Sequence, residues 1–79
     1  MKLNEKVLLN GINKMLHFNN VVKKYDLEAY IVSGGFILNA KSLFNIFILD
    51  CSVPLEVIIY EDPKDEIDSL RTEISDYIV

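Results

Sequence analysis

The chain has no tryptophan, one cysteine, one histidine, two prolines and three glycines among 79 residues. Each scarcity removes a class of function. With Cys51 alone, no internal disulfide forms and no zinc site is built from cysteines. Such sparing use of cysteine fits a reducing, cytoplasmic setting. Cys51 has no neighbouring base in the sequence, so it reads as a buried or half-buried spacer and not as a nucleophile. His17 has no second histidine or cysteine to share a metal. Gly34-Gly35 lacks the spacing and the following lysine of a phosphate-cradling loop. The opening residues, Met1 to Lys6, lead into no long apolar stretch, so neither a signal peptide nor a membrane span is expected. Clustered positive charge is also missing. Glu61 to Asp76 hold seven acids against Lys64 and Arg71, and the rest of the chain holds five acids and six bases. That balance disfavours nucleic acid as a partner. Lys14, Lys23 and Lys24 could form a small basic patch on the first helix, and are read as its solvated face.

What is present points to a single small domain, residues 1–79. Apolar residues make up 51% of the chain and mean hydropathy is +0.22, values that exclude a disordered chain. Asn4 to Leu9 read as a strand, and Asn10-Gly11 as a break. From Ile12 the apolar spacing turns helical. Ile12, Met15, Leu16, Val22 and Tyr25 are assigned to one side with Phe18 adjacent, and His17 to the opposite, polar side, with Asp26 as the stop. Glu28 to Ser33 and Phe36 to Asn39 read as a hairpin turning at Gly34-Gly35. Ser42 to Ile48 form a short helix, Asp50 to Pro54 a loop, and Leu55 to Tyr60 a strand with the character of a central one. The last helix opens with Asp62 as N-cap and Pro63 in the first turn, and Asp65 and Glu66 suit its positive end. Ile67, Leu70, Ile74, Tyr77 and Ile78 are its apolar stripe. The order β-α-β-β-α-β-α predicts an α+β open-faced sandwich.

The segment from Ala40 to Asp50 organises the rest. Ser42 is a candidate N-cap, with Asn45 where a capping box wants Glu or Gln. Leu43 to Leu49 hold six apolar residues broken only by Asn45, too many for one helix face. A helix this apolar is buried nearly all round or presents a patch to a partner. The run Lys41-Ser42-Leu43-Phe44-Asn45-Ile46-Phe47-Ile48-Leu49, with Asn39-Ala40 before it and Asp50 to Leu55 after it, resembles the second-helix region of the HPr family. That family comprises the small phosphocarrier proteins of the bacterial sugar phosphotransferase system. The likeness is to a divergent, clostridial-type branch and extends over the whole chain in order and length. It implies a four-stranded antiparallel sheet, the first strand beside the fourth and the second, with three helices on one face.

The resemblance also carries site expectations, residue by residue. The family's phosphohistidine opens the first helix in a His-x-Arg-Pro run. Ungapped counting from Ser42 places that run on Gly11-Ile12-Asn13-Lys14, so the histidine position is Gly11 and the histidine, arginine and proline are all missing. His17 lies nearly two turns inside the helix. The family's regulatory serine matches Ser42, preceded by Lys41, and is read either as a cap alone or as a cap that is also phosphorylated. Leu43, Phe44 and Phe47 match the partner-docking patch, with Phe44 in place of the usual methionine, while Ile46 and Leu49 are assigned to the core. Asn45 and Ile48 replace a glycine and a serine. The reading this implies is a non-catalytic regulatory domain with no cofactor and no metal. It would contact protein partners (a kinase, a transcription regulator or phosphotransferase components) through Lys41, Leu43, Phe44 and Phe47. Phosphorylation at Ser42 would switch it, as in the catabolite-repression branch of the family. Two alternatives stand beside it: a working phosphocarrier that uses His17, and a structural module that self-associates into a homodimer through the apolar patch.

Overall fold

The computed structural model describes residues 3–60 and 64–79, with only the backbone of Lys64 and Asp65. Its elements are β1 (Leu3–Val7), α1 (Ile12–Lys23), β2 (Ala29–Ser33), β3 (Phe36–Asn39), α2 (Leu43–Phe47), β4 (Leu55–Ile59), α3 (Lys64–Glu73) and a 3-10 turn, Ser75–Tyr77. The expected Asp62 cap, Pro63 and the Asp65 side chain lie outside the described residues.

The sheet runs β1-β4-β2-β3, every neighbour antiparallel. This corrects one expectation: β1 pairs with β4 but not with β2, which pairs with β4 and β3. β4 is therefore central, as its β-branched content suggested. Leu55, Val57 and Ile59 are buried on one face, while Glu56 and Ile58 on the other are half-buried. That alternation is what an antiparallel strand shows when helices cover only one side of it. The hairpin turn has positive φ at Gly34 and not at Gly35, as two-residue II′ loops require.

The core lies between the sheet and the helices. Leu3, Val7, Ile31, Leu55, Val57 and Ile59 from the sheet meet Phe18, Val21, Val22, Ile46, Ile67, Leu70 and Ile74 from the helices. In α1 the buried side is Phe18, Asn19, Val21 and Val22, with Met15 and Tyr25 packed at its edge. Ile12 and Leu16, expected on that side, are exposed. At 100° per residue Ile12 stands about 120° from Phe18, so an apolar count overrode the geometry. The helix ends at Lys23, short of Asp26. β1 stops at Val7, before the expected Leu9, where its partner strand β4 begins at Leu55.

α3 buries Ile67, Leu70 and Ile74 as its stripe requires. Tyr77 and Ile78, expected on the same helix, leave it: Tyr77 closes the 3-10 turn and Ile78 bridges to Val7. The Val79 N–H then donates to the Lys6 carbonyl at 2.9 Å. The end of the chain thus occupies the outer edge of β1.

Phe18 is fully buried at the α1–sheet contact. Truncating such a ring removes transfer energy and leaves a cavity, about 3–5 kcal/mol together. In a domain this small that is a large share of roughly 5–10 kcal/mol. Phe18→Ala is expected to lose about 3–5 kcal/mol at 25 °C by urea titration followed by circular dichroism, whereas Leu16→Ala, on the exposed side, should stay within about 0.5 kcal/mol of the parent.

Candidate functional site

α2 is short, and its start is built from four polar contacts. Ser42 is the N-cap in extended backbone, and its Oγ accepts from the Asn45 N–H at 3.3 Å. Asn45 also donates its Nδ2 to the Asn39 carbonyl at 3.3 Å, so it secures the turn from the other side. The Lys41 N–H donates to Asn39 Oδ1 at 2.8 Å, and the Ser42 N–H to the Asn39 carbonyl at 3.2 Å. An Asn in the position of a capping-box acid therefore does a different job: it holds β3 to α2.

Asn19 fastens this turn to α1. It is the one buried polar side chain among the described residues, and its Nδ2 donates to the Lys41 carbonyl at 2.9 Å. The Lys41 ammonium in turn donates to the Tyr25 carbonyl at 2.7 Å, just beyond the end of α1. Lys41 is thus half-buried and bonded within the molecule, with its charge at the negative end of a helix. At the far end of α2, Cys51 Sγ donates to the Ile46 carbonyl at 3.5 Å. Burial, and secondarily the Asp50 carboxylate, push the Cys51 thiol up and away from the thiolate, so Cys51 is an unreactive packing residue.

With both ends held, α2 divides its apolar residues. Ile46 is fully buried and Leu49 is packed at the core's edge. Leu43 and Ser42 are half-buried. Phe44 is 73% exposed, Phe47 45% and Ile48 59%. α1 packs beside α2 and leaves Ile12 and Leu16 exposed as well. Sequence reasoning missed Ile12, Leu16 and Ile48 as surface residues. The angular positions of the first two relative to Phe18 were the available signal.

Gly11 is the N-cap of α1 with φ 150°, ψ 145°, a conformation that glycine alone adopts without strain. No side chain caps that end, and no acid lies in its first turn. His17 is placed elsewhere. It is exposed, sits in the middle of α1, and its Nδ1 is in hydrogen-bond contact with Tyr77 Oη, the two rings edge-on at 5.7 Å. So His17 does not merely face solvent on a polar side; it touches the 3-10 turn.

Beyond it, Glu73 of α3 accepts from both the Lys24 ammonium and the Tyr25 hydroxyl. Those donors hold the Glu73 carboxyl below its usual range, Lys24 first. The Tyr25 phenol, bonded to that carboxylate, is pushed up to about 12. Among the described residues no cluster of acids, histidines and cysteines could hold a metal, and no helix is long and apolar enough to cross a membrane.

The chain superposes on a crystal structure of HPr-C-His from Thermoanaerobacter tengcongensis with a TM-score of 0.72, covering 95% of this chain and 91% of that one at 16% identity. The fold is HPr-like. No family model matches the chain, and no curated protein matches it. In this HPr-like fold, the exposed face of α2, its Ser42 cap and the start of α1 are the positions that the sequence resemblance singled out.

Two outcomes test this arrangement. Asn19→Ala should lose about 1–3 kcal/mol, because two turn carbonyls lose their buried donor. At this chain length each kcal/mol is about 4–8 °C in Tm, read by thermal unfolding. The Glu73 cluster should give a stability window in pH. The lowered Glu73 pKa makes its contribution present above the ordinary carboxylate range and lost as pH falls through it. The raised Tyr25 pKa makes its contribution present below pH 10 and lost as pH rises from 10 towards 12. Glu73→Gln should flatten both limbs of Tm against pH; an unchanged profile would disprove the coupling.

Proposed function

We propose that this chain is a non-catalytic, HPr-like regulatory domain that works in the cytoplasm through protein contacts made by α2. The observation that carries the reading is the exposure of Phe44 and Phe47 on a helix held at both ends by the fold. Monomeric surfaces seldom spend large rings on solvent without a partner for them. Phe44 and Phe47 are the anchors, with Leu43 supporting them. Lys41 contributes by fixing the turn, since its ammonium is bonded to Tyr25. The partners that fit are the kinase, transcription regulator or phosphotransferase components that the family resemblance implies.

Ser42 is the proposed switch. A phosphate on its Oγ would stand at the first turn of α2, where free N–H groups and the positive end of the helix favour it. It would also displace the Oγ–Asn45 bond, so the modification reorganises the cap as well as adding charge.

The absence of a carrier histidine is supported by backbone shape as well as residue identity. At φ 150° a histidine in place of Gly11 would be strained. His17 is exposed, which favours the alternative carrier reading, but it lies in the sixth position of α1, beyond the first-turn donors, and its Nδ1 is occupied by Tyr77. The two readings part in one experiment. With the general phosphotransferase enzyme and radiolabelled phosphoenolpyruvate, no acid-labile label should form; label on His17 would overturn the proposal. With the family's serine kinase and ATP, mass spectrometry should show one added phosphate, absent in Ser42→Ala. No gain in mass would remove the switch while leaving the docking reading intact. Phe44→Asp should weaken a captured partner by at least about tenfold, as loss of a central aromatic anchor does.

A further inference from the structure

The two edges of the sheet are treated differently. The outer edge of β1 is occupied by the chain's own end, through Leu8 N–H to Tyr77 carbonyl, Val79 N–H to Lys6 carbonyl and the Val7–Ile78 bridge. The outer edge of β3 carries no described strand. Natural sheets blunt a free edge with lysine, proline, a bulge or a cover. β3 reads Phe36-Ile37-Leu38-Asn39 and uses no lysine or proline. The whole stretch from Ala29 to Ala40 is without a charged residue, in a chain that is 25% charged. Phe36 is 68% exposed and Ile37 60%.

The hydrogen-bonding groups that face outward follow from the register. Ser33 pairs with Phe36 across the two-residue turn, Ile37 with Val32 and Leu38 with Ile31. In such a hairpin the closing pair is hydrogen-bonded and pairs alternate from there. The Ala40 N–H to Ala29 carbonyl bond at 2.9 Å keeps the same alternation. Ile37 therefore turns its N–H and C=O away from β2, towards open space. A paired donor and acceptor on an extended backbone fit another extended backbone.

We infer that β3 is a self-association edge, on which the β3 of a second copy of this chain pairs antiparallel about a two-fold axis at Ile37. The occupant is argued from self-complementarity. About that axis Ile37 meets Ile37 of the second copy and exchanges both backbone bonds with it. Phe36 lies across from Leu38 of the second copy, twice, an aromatic–aliphatic pair of the kind that stabilises neighbouring strands. Each copy carries net charge −4, yet the meeting edge is neutral, so no like charges are brought face to face. On the sheet's open face the pairing sets Ile37 of each copy beside its own Val32, and beyond Val32 the apolar row ends at Glu56 of β4. A four-residue edge buries less than the roughly 1,200 Å² that marks the low end of specific interfaces, so the dimer is weak, with Kd of about 100 µM. This surface is separate from α2, and the inference does not rest on the function proposed above.

Sedimentation of the full chain across concentration tests it. The mass should rise from one chain towards two as the concentration approaches about 1 mM. Ile37→Lys should weaken association at least about tenfold, by placing a charge on the edge. Ile37→Pro should do the same with the hairpin kept, because the N–H it removes faces outward. Phe44→Asp should leave association unchanged. In the unmutated chain, exchange of the Ile37 amide with solvent should slow as concentration rises, a readout that needs no variant to fold. A chain that stays monomeric at 1 mM would overturn the inference. So would Ile37 variants that dimerise as the parent does, loss of the dimer in Phe44→Asp, or concentration-independent Ile37 exchange.

Discussion

Every helix in this molecule is pressed against one face of one sheet. That single-sided cover is the constraint from which the rest follows. β4 sits at its centre, bonded on both sides, with Leu55, Val57 and Ile59 turned into the core and Glu56 and Ile58 turned away. Among the described residues no second layer covers what the first leaves out. Each helix therefore has one buried face and one exposed face whatever its composition. For α3 the composition agrees, since a three-residue apolar stripe faces in and acids face out. For α2 it does not, because besides Ile46 five of the other six residues from Leu43 to Leu49 are also apolar. The surplus is pushed to the surface, and Phe44, Phe47 and Ile48 are that surplus.

The same constraint explains why polar groups gather at the ends of elements. α2 is too short to be stable alone. It is held by Ser42 at its start, Asn45 and Asn39 on the β3 side, Asn19 from α1 and Cys51 behind it. Lys41 closes the loop by bonding the carbonyl of Tyr25. Backbone groups at the termini of elements need partners when buried. Here the fold supplies them by tying α1 and α2 together at one turn. The rings that α2 presents are consequently fixed in place rather than carried on a loose loop, which suits a contact surface.

Under the reading proposed above, carrier chemistry would need an imidazole at the head of α1. Gly11 stands there in a backbone shape that belongs to glycine, and the lone histidine is six residues further on, against Tyr77. Cys51, the other conventional nucleophile, is withdrawn by burial.

Periodicity and turn chemistry in the chain were enough to place the four strands and three α-helices, though not the closing 3-10 turn. Gly34-Gly35 marks the hairpin, Ser42 the head of α2, and the Ile67, Leu70, Ile74 spacing the inner face of α3, because those signals are local and each rests on a backbone or side-chain preference. Which apolar residues are buried was not local. Ile12 and Leu16 carry much the same hydrophobicity as Val21 and Val22; their angle from Phe18 around α1 sets them apart, and the direction in which α1 meets the sheet decides which side is buried. Tyr77 and Ile78 continue the stripe of α3 in sequence but leave the helix, because an unpaired β1 edge offers them backbone bonds. The strand order, the exposure of Phe44 and Phe47, the Asn19 anchor and the unequal sheet edges were likewise decided by contacts between residues far apart in the chain. A one-dimensional pattern records which residues prefer burial; how much interior exists to receive them is a property of the packed molecule.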